Sequence, residues 1–218
     1  MEKKEKLEML SYLIDELGLT RKEVSEYLLV EDASSAVARE IHPGMYVYAD
    51  DTISSDILPD RQIKAVVGYV EDNTLYAVCL RETHLRWSED MLKVSMFRGW
   101  RDGKYATQKI LEAADRENKK AEAAQWCYDY ECDGVKKGEA FLPSLVELFN
   151  LFYNRSAINK ALEKLDCSVL DDEYASSIEE NAKFVSVFAM GEDEEDTGYV
   201  CRSKFEVLGV RPMLKIKL

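Results

Sequence analysis

The sequence predicts an α+β fold, and three observations support this class. Apolar, β-branched runs joined by short polar turns predict an antiparallel meander in the middle of the chain. Two long helical patterns follow, and strand-like runs then return near the C-terminus. Because strands precede and follow the helices, we expect the first and last strands to share one sheet. The predicted segments are strands at 45–48, 64–70 and 75–80, helices at 106–130 and 145–165, and strands at 183–188, 198–202 and 210–216.

The first forty residues differ from the rest and predict a helical hairpin. Gly18 stands where a helix commonly ends, and Thr20-Arg-Lys-Glu23 is a capping box that opens a second helix. We therefore divide the chain into a docking or oligomerisation hairpin at 1–40 and a main domain at 41–218. A hairpin that covers the main domain and a short coiled coil both stay open. The apolar stripe of the first helix is formed by Leu7, Leu10, Ile14 and Leu17.

The charge excludes two classes of partner. The 218 residues carry a net charge of −13, whereas nucleic acids and anionic lipid surfaces attract basic proteins. Hydrophobic residues make up 46% of the chain, which is enough for a packed core, yet no stretch is apolar enough to insert into a membrane. The N-terminal sequence has no secretory signal pattern, so we expect a virion or cytoplasmic location.

The cysteines predict reduced thiols and no metal centre. Their number is odd, their spacing is irregular and they form no CxxC pair, while the chain has only two histidines. A zinc site needs four closely spaced ligands, so we expect neither a metal nor a cofactor. A disulfide between Cys127 and Cys132 is permitted by spacing and stays open. The cysteines are Cys79, Cys127, Cys132, Cys167 and Cys201.

A series of short motifs runs through residues 41–218. The most specific is Phe141-Leu-Pro-Ser-Leu-Val-Glu-Leu148. In order and content, the series resembles a family of C-type-lectin-fold domains of gut bacteria and their phages, relatives of the variable proteins of diversity-generating retroelements. Asp51 and Ala175 depart from the family, which has glycine and tryptophan there, so we expect 173–181 to be remodelled. The other motifs are Gly44-Met-Tyr-Val-Tyr-Ala-Asp-Asp51, Val67-Gly-Tyr-Val70, Trp87-Ser88, a helix from Thr107 to Tyr130, Glu173-Tyr-Ala-Ser-Ser-Ile-Glu179 and Val210-Arg-Pro212.

The resemblance implies a C-type-lectin-like domain, with antiparallel sheets, two flanking helices and ligand-binding loops. In such domains the recognition residues lie between the Ser-Ser segment and Val-Arg-Pro. Tyrosine and arginine are frequent binding anchors, and neighbouring acids would favour a basic or metal-bridged partner over an anionic one. The ligand-binding residues that this region offers are Tyr174, Glu179, Asn181, Glu194, Asp196, Tyr199 and Arg202.

Structural roles are predicted for four further residues. Glu147 and Arg211 belong to the best-matched motifs, and a charge-assisted pair between them would join a helix to the last strand. Two unrelated charges are the alternative. Trp87 and Trp126 are interpreted as core residues because large rings dominate burial. The acidic run at 191–198 has no EF-hand spacing and is interpreted as a solvated turn, although calcium binding stays open.

The function that we expect is a non-enzymatic ligand-binding or structural module, either a phage virion component or a host-surface-binding protein. We predict no catalytic residue, because the chain lacks a nucleophile-elbow motif and a histidine triad pattern. A secreted bacterial surface adhesin and an intracellular enzyme on a formylglycine-generating-like scaffold are the alternatives. The expected partner is a protein or carbohydrate, and residues 1–30 are expected to mediate homo-oligomerisation or docking into a larger assembly.

Overall fold

The computed structural model describes residues 41–94, 101–191 and 197–218, and the predicted hairpin at 1–40 lies outside these residues. The described part contains ten strands and four helices, which confirms the α+β class. The strands are β1 (Tyr46–Tyr48), β2 (Ile53–Ser54), β3 (Ile63–Glu71), β4 (Thr74–Cys79), β5 (Thr83–Arg86), β6 (Glu173–Glu179), β7 (Phe184–Met190), β8 (Thr197–Ser203), β9 (Val207–Val210) and β10 (Met213–Lys217). The helices are α1 (Gly103–Glu117), α2 (Glu122–Tyr128), α3 (Leu145–Tyr153) and α4 (Arg155–Lys164).

The first sheet has the strand order β10-β4-β3-β1-β2, and each of its neighbouring strand pairs is antiparallel. It contains the predicted meander of β1, β3 and β4. We predict that the segments near 45–48 and 210–216 pair in one sheet. This is confirmed only for the part of the second segment that forms β10, and β3 and β4 lie between β10 and β1. Strand β2 was not predicted, because two residues are too few to show an alternating pattern.

The second sheet has the order β5-β9-β6-β7-β8. Its pairs are antiparallel except for a parallel contact between β6 and β9, where Tyr174 lies opposite Gly209. The segment at 173–181, which we expected to be remodelled, forms β6 with a register shift between Ala175 and Glu179. Strand β5 was not predicted, because its sequence, Thr-His-Leu-Arg, has no apolar run.

The predicted strand at 210–216 is instead two strands in different sheets. β9 ends in the second sheet, the chain crosses at Arg211 and Pro212, and β10 begins in the first. Proline cannot donate a ladder hydrogen bond, which favours this break. Arg211 is fully buried at the crossing, where its Nη1 lies 2.8 Å from Glu82 Oε2 and its Nε donates to the carbonyl of Cys79 at 2.9 Å.

The predicted Glu147–Arg211 pair is wrong, because each residue has other partners. Glu147 closes a capping box with Ser144 at the start of α3. Its Oε2 accepts from the backbone N–H of Ser144 at 2.6 Å and of Gly103 at 3.1 Å, so one carboxyl joins the first turns of α1 and α3. Burial raises the pKa of Glu147 to about 7.

Each long helical pattern of the sequence forms two helices. α1 ends at Asn118, whose φ of 50° is a left-handed conformation that asparagine tolerates. α3 and α4 meet at Asn154, which caps both. The predicted pair of long helices is therefore four shorter ones.

Three clusters of buried side chains hold these layers together. The first joins residues of both sheets with α3 and α4. The second lies on the other face of the second sheet with α1 and α2, and the third covers the first sheet. Trp87 is fully buried in the second cluster, and its Nε1 donates to the carbonyl of Ser176 at 2.9 Å. Trp126 is half-buried and packs against both the second and third clusters.

Candidate functional site

An open groove of about 310 Å³ lies at one end of the second sheet. Acidic residues from the start of β6 and one arginine from β8 supply its charged surface, and Ala189 and Val200 supply its apolar surface. The groove lies over a small residue of the central part of the sheet. Ala189 of β7 pairs with Glu173 of β6 on one side and with Gly198 of β8 on the other. The lining residues are Asp171, Asp172, Glu173, Ala189, Gly191, Thr197, Val200 and Arg202.

The strongest charge contact of the groove joins Arg202 to Glu173. Arg202 Nε lies 2.8 Å from Glu173 Oε2, and Nη2 lies 2.5 Å from Oε1, a two-pronged geometry. The hydrogen bond to Glu173 raises the pKa of Arg202 above its ordinary value. Both side chains are 35% exposed, so a ligand in the groove can reach them. Arg202 is therefore a fixed positive charge within an acidic surface.

A second polar contact lies beside the first. Asp172 Oδ2 lies 2.6 Å from His84 Nε2, and Asp172 Oδ1 accepts from the backbone N–H of Glu173 at 2.6 Å. Gly209, opposite His84 in the ladder, permits this approach: a Cβ at that position would lie only 3.2 Å from Asp172 Oδ2. Sequence reasoning missed His84 and Asp172, because 88 positions separate them.

The end of β7 is held in place from two sides. Arg155, at the start of α4, donates to the carbonyl oxygens of Met190 and Gly191, each at 2.6 Å. Thr197 Oγ1 donates to the same Gly191 oxygen at 3.1 Å. These bonds fix the backbone that lines the groove, so its shape is set before a ligand arrives.

Tyr174 is not on a binding loop, and its predicted exposure is wrong. It is fully buried in the first cluster, where its hydroxyl donates to Glu82 Oε2 at 2.8 Å. Burial raises the pKa of Tyr174 well above its ordinary value. Because the same Glu82 oxygen contacts Arg211, the three side chains form one buried polar network. Tyr174 is therefore a core residue that a ligand cannot reach.

Glu179 is also placed differently from its predicted role. Its Oε2 lies 2.7 Å from Lys204 Nζ, and the side chains of Glu179 and Lys204 are 7% and 0% exposed. Lys204 Nζ also donates to the carbonyl of Leu92 at 2.6 Å and lies 4.3 Å from the centre of the Trp87 ring. Burial lowers the pKa of Lys204. The pair is a structural contact and presents no surface to a ligand.

The remaining predicted ligand-binding residues lie in a turn, in a strand or outside the described residues. Asn181 is exposed, and its Oδ1 accepts from the backbone N–H groups of Lys183 and Phe184, so it shapes the turn before β7. Tyr199 is half-buried on β8 and donates to Glu180 Oε1 at 2.9 Å. Glu194 and Asp196 lie outside the described residues. Of the seven predicted ligand-binding residues, the structure places Arg202 in the groove.

Metal and membrane signals are absent from the part of the chain that the structure describes. No group of three or more histidine, cysteine or acidic side chains is arranged to hold a metal ion there. The solvated turn predicted for the acidic run stays a prediction, and calcium binding stays open, since most of that run is outside the described ranges. Within those ranges no helix is long and apolar enough to span a bilayer. The five cysteines are free thiols, so the Cys127–Cys132 disulfide is not formed.

No protein-family model and no curated protein sequence matches this chain. Its fold is similar to the crystal structure of a fimbrial protein from Bacteroides ovatus ATCC 8483, with a TM-score of 0.64 and 14% sequence identity. The match covers 81% of this chain and 49% of the fimbrial chain, so it spans about half of that protein's length. At this identity the likeness shows the fold alone. The class that results is an α+β domain.

Proposed function

We propose that this chain is a non-enzymatic binding module that holds a protein or carbohydrate ligand in the groove beside β8. The observation that carries the proposal is the preformed charged contact of Arg202 and Glu173 above an apolar surface. Pockets that combine apolar area with a few fixed polar groups are the usual architecture of binding sites. Because the polar groups are already held, binding costs little ordering entropy.

The thiols support a non-enzymatic role. An enzyme of the formylglycine-generating kind works through cysteines, and this alternative would need Cys167 or Cys201 to be paired and exposed. Both are free, and burial raises the pKa of each thiol. A raised pKa lowers the fraction of thiolate, which is the reactive form. This chemistry favours binding over the enzymatic alternative.

The finer fold assignment and the biological setting belong to the same proposal. A C-type-lectin-like domain is supported by the order of the motifs and by the fact that the first and last strands, β1 and β10, belong to one sheet. The proposed settings are a phage virion component or a host-surface-binding protein, in the virion or the cytoplasm. The second candidate is a bacterial surface adhesin, and the observation that favours it is the likeness to a fimbrial protein.

Assembly is proposed to depend on residues 1–30. Their apolar stripe of Leu7, Leu10, Ile14 and Leu17 is suited to contact a second surface. Light scattering coupled to size exclusion should show a lower oligomeric mass for a chain that lacks residues 1–30. An unchanged mass, together with unchanged recruitment into any larger assembly, would contradict this role.

The groove is tested with arrays of defined peptides and oligosaccharides. We expect Thr197→Arg to weaken the binding of every probe that the wild-type chain binds by about tenfold or more, because a long side chain would fill the groove. The matched control is Val207→Arg, which adds the same charge at a 62% exposed position on β9 outside the groove lining. Circular dichroism first shows that both variants are folded. Equal losses of binding for the two folded variants would contradict the proposed site.

A further inference from the structure

The first sheet has an apolar outer face, on the side away from α3 and α4. The described covering of this face comes mainly from the segment after α2, through Tyr130, Val135 and Ala140. An apolar sheet face has to be buried against another element, so the extent of this covering decides whether the described residues suffice. The buried residues that the strands contribute to the outer face are Val47, Ala65, Val67, Leu75, Ala77, Cys79 and Leu214.

The contacts of the segment after α2 lie at one end of the first sheet. Arg81, which follows the end of β4, donates its backbone N–H to the Tyr130 hydroxyl oxygen at 3.3 Å. Its Nε donates to Asp133 Oδ2 at 2.9 Å. Phe141 pairs with Met213, the first residue of β10. These contacts hold the segment over the half of the outer face where β4 ends and β10 begins.

The far half of the outer face, formed by Val70, Leu75 and Ile216, is also apolar. Leu75 lies between Val70 of β3 and Ile216 of β10 in the ladder, so the three side chains share a face. Leu75 is 0% exposed, whereas Val70 and Ile216 are only partly buried. Neighbours in a sheet flank a side chain and leave its outer end open. The burial of Leu75 therefore requires a further segment above the far half.

The chain enters the described domain at this far half. Antiparallel pairing brings the start of β1 to the end of the sheet where β3 and β10 end. Ile41, the first described residue, packs against the outer face. Residues 1–40 precede it, and Val24, Tyr27 and Leu28 recur there at spacings of three and four on the second predicted helix. An apolar helix face thus precedes an apolar sheet face at the point where the chain reaches it.

We propose that the second helix of the N-terminal hairpin docks on the far half of the outer face within its own chain, through Val24, Tyr27 and Leu28. Residues 31–40 join this helix to the domain and reach at most about 35 Å, more than the roughly 10 Å between β3 and β10. Such a short tether gives the helix a high effective concentration at its own sheet, which favours this contact over a second copy. The inference goes beyond the groove and leaves the stripe of the first predicted helix available for assembly.

The test measures how fast a thiol reagent reaches the far half in the full chain. Ile216→Cys places a thiol there, while the buried Cys79 and the exposed Cys201 are native references in the same molecule. Leu28→Lys is then added, because a charge within an apolar contact is costly to bury. The matched control is Glu26→Lys, which puts the same side chain on the opposite face of the predicted helix. Mass spectrometry after digestion reports the labelling of each cysteine.

We expect Leu28→Lys to speed labelling of the introduced thiol by about tenfold or more, and Glu26→Lys to change it by less than about twofold. Equal rates in the two lysine variants would overturn the proposal. A rate equal to that of Cys201 without Leu28→Lys would also overturn it, since the far half would then be open. Protection that rises with protein concentration would make a second copy the source of the helix and would overturn docking within one chain.

The references show whether the domain stays folded. Cys201 should react at the same rate in each variant, and Cys79 should stay unlabelled. If Leu28→Lys leads to labelling of Cys79, Leu28→Ala repeats the comparison with a milder change, and Glu26→Ala is its control. An introduced thiol that reacts no faster with Leu28→Ala than with Glu26→Ala would overturn the proposal. None of these outcomes depends on binding in the groove, so the two proposals fail separately.

Discussion

The two ends of strand β6 carry the same chemistry in different surroundings. At its first residue Glu173 contacts Arg202 at 2.5 Å, and both side chains are 35% exposed. At its last residue Glu179 contacts Lys204 at 2.7 Å, with 7% and 0% exposure. Each pair joins a carboxylate of β6 to a cation on or just after β8. The pairs differ chiefly in access to water.

That difference decides what each pair contributes. Water screens an exposed pair, which is typically worth less than about 1 kcal/mol of folding free energy. Removal of one partner from a buried pair leaves an uncompensated charge and costs about 3–5 kcal/mol. The closed end of β6 therefore stabilises the domain. The open end contributes little to folding, so its charges are available for recognition.

The largest expected effect is at the closed end. Glu179→Ala should lower the free energy of unfolding by about 3–5 kcal/mol, because it leaves Lys204 charged and buried without its carboxylate. Glu173→Ala, the matched change at the open end, should cost less than about 1 kcal/mol. Urea denaturation of both variants measures the difference. Similar losses would show that burial does not distinguish the two ends.

The next effect concerns the buried carboxyl of Glu147, which no cation of the described residues contacts by a hydrogen bond. Burial raises the pKa of Glu147 from 4.5 to about 7, so the folded state holds its proton more tightly than the unfolded state. This contribution to stability is full below pH 4.5 and is lost as the pH rises to about 7, a decrease of about 3 kcal/mol. Glu147→Gln keeps an acceptor for the capping box and should remove this part of the pH dependence.

Unfolding of wild type and Glu147→Gln at a series of pH values between 4 and 8 measures this effect. The exposed Glu112, which pairs with Lys109 on the surface of α1, supplies the control variant Glu112→Gln. That variant should follow the wild-type profile. Parallel profiles for Glu147→Gln and wild type would mean that the pKa of Glu147 is the same in the folded and unfolded states, which would contradict the effect of burial.

A smaller effect separates two tyrosines of the second sheet. Tyr174→Phe should cost about 2 kcal/mol, because it removes a donor from the buried Glu82 carboxylate. Tyr199→Phe removes a comparable bond to the exposed Glu180 and should cost less than about 1 kcal/mol. Thermal or urea unfolding compares the two. A larger loss for Tyr199→Phe would place the structural hydroxyl on β8 instead of β6.

The smallest effect on stability is expected at the groove. Arg202→Gln should change the free energy of unfolding by less than about 1 kcal/mol, as should Arg61→Gln at the exposed pair with Asp50. Only Arg202→Gln should alter the affinity for the peptides or oligosaccharides that bind in the groove. That affinity should fall, because the preformed contact between Arg202 and Glu173 is lost. An unchanged affinity would remove the Arg202–Glu173 contact from the binding surface.

The sequence by itself determined the local elements of this protein. Alternating apolar residues identified β3 and β4, which lie within one or two residues of their predicted bounds. Pro143-Ser144 marked the start of the helix predicted from residue 145, and α3 begins at Leu145 after its N-cap Ser144. The α+β class followed from the order of these segments. Each of these features depends on neighbours in the chain, which is why a single sequence is enough to reveal them.

The tertiary structure alone decided which charges meet and which residues water reaches. Arg211 contacts Glu82 across 129 positions, at the point where the chain crosses from one sheet to the other. Glu147 accepts from the backbone N–H of Gly103 and forms no pair with Arg211. Tyr174 was predicted on a loop, yet its strand is central in a sheet with clusters on both faces. No local pattern encodes such pairings or burial, since both depend on segments that are distant in sequence and adjacent only after folding.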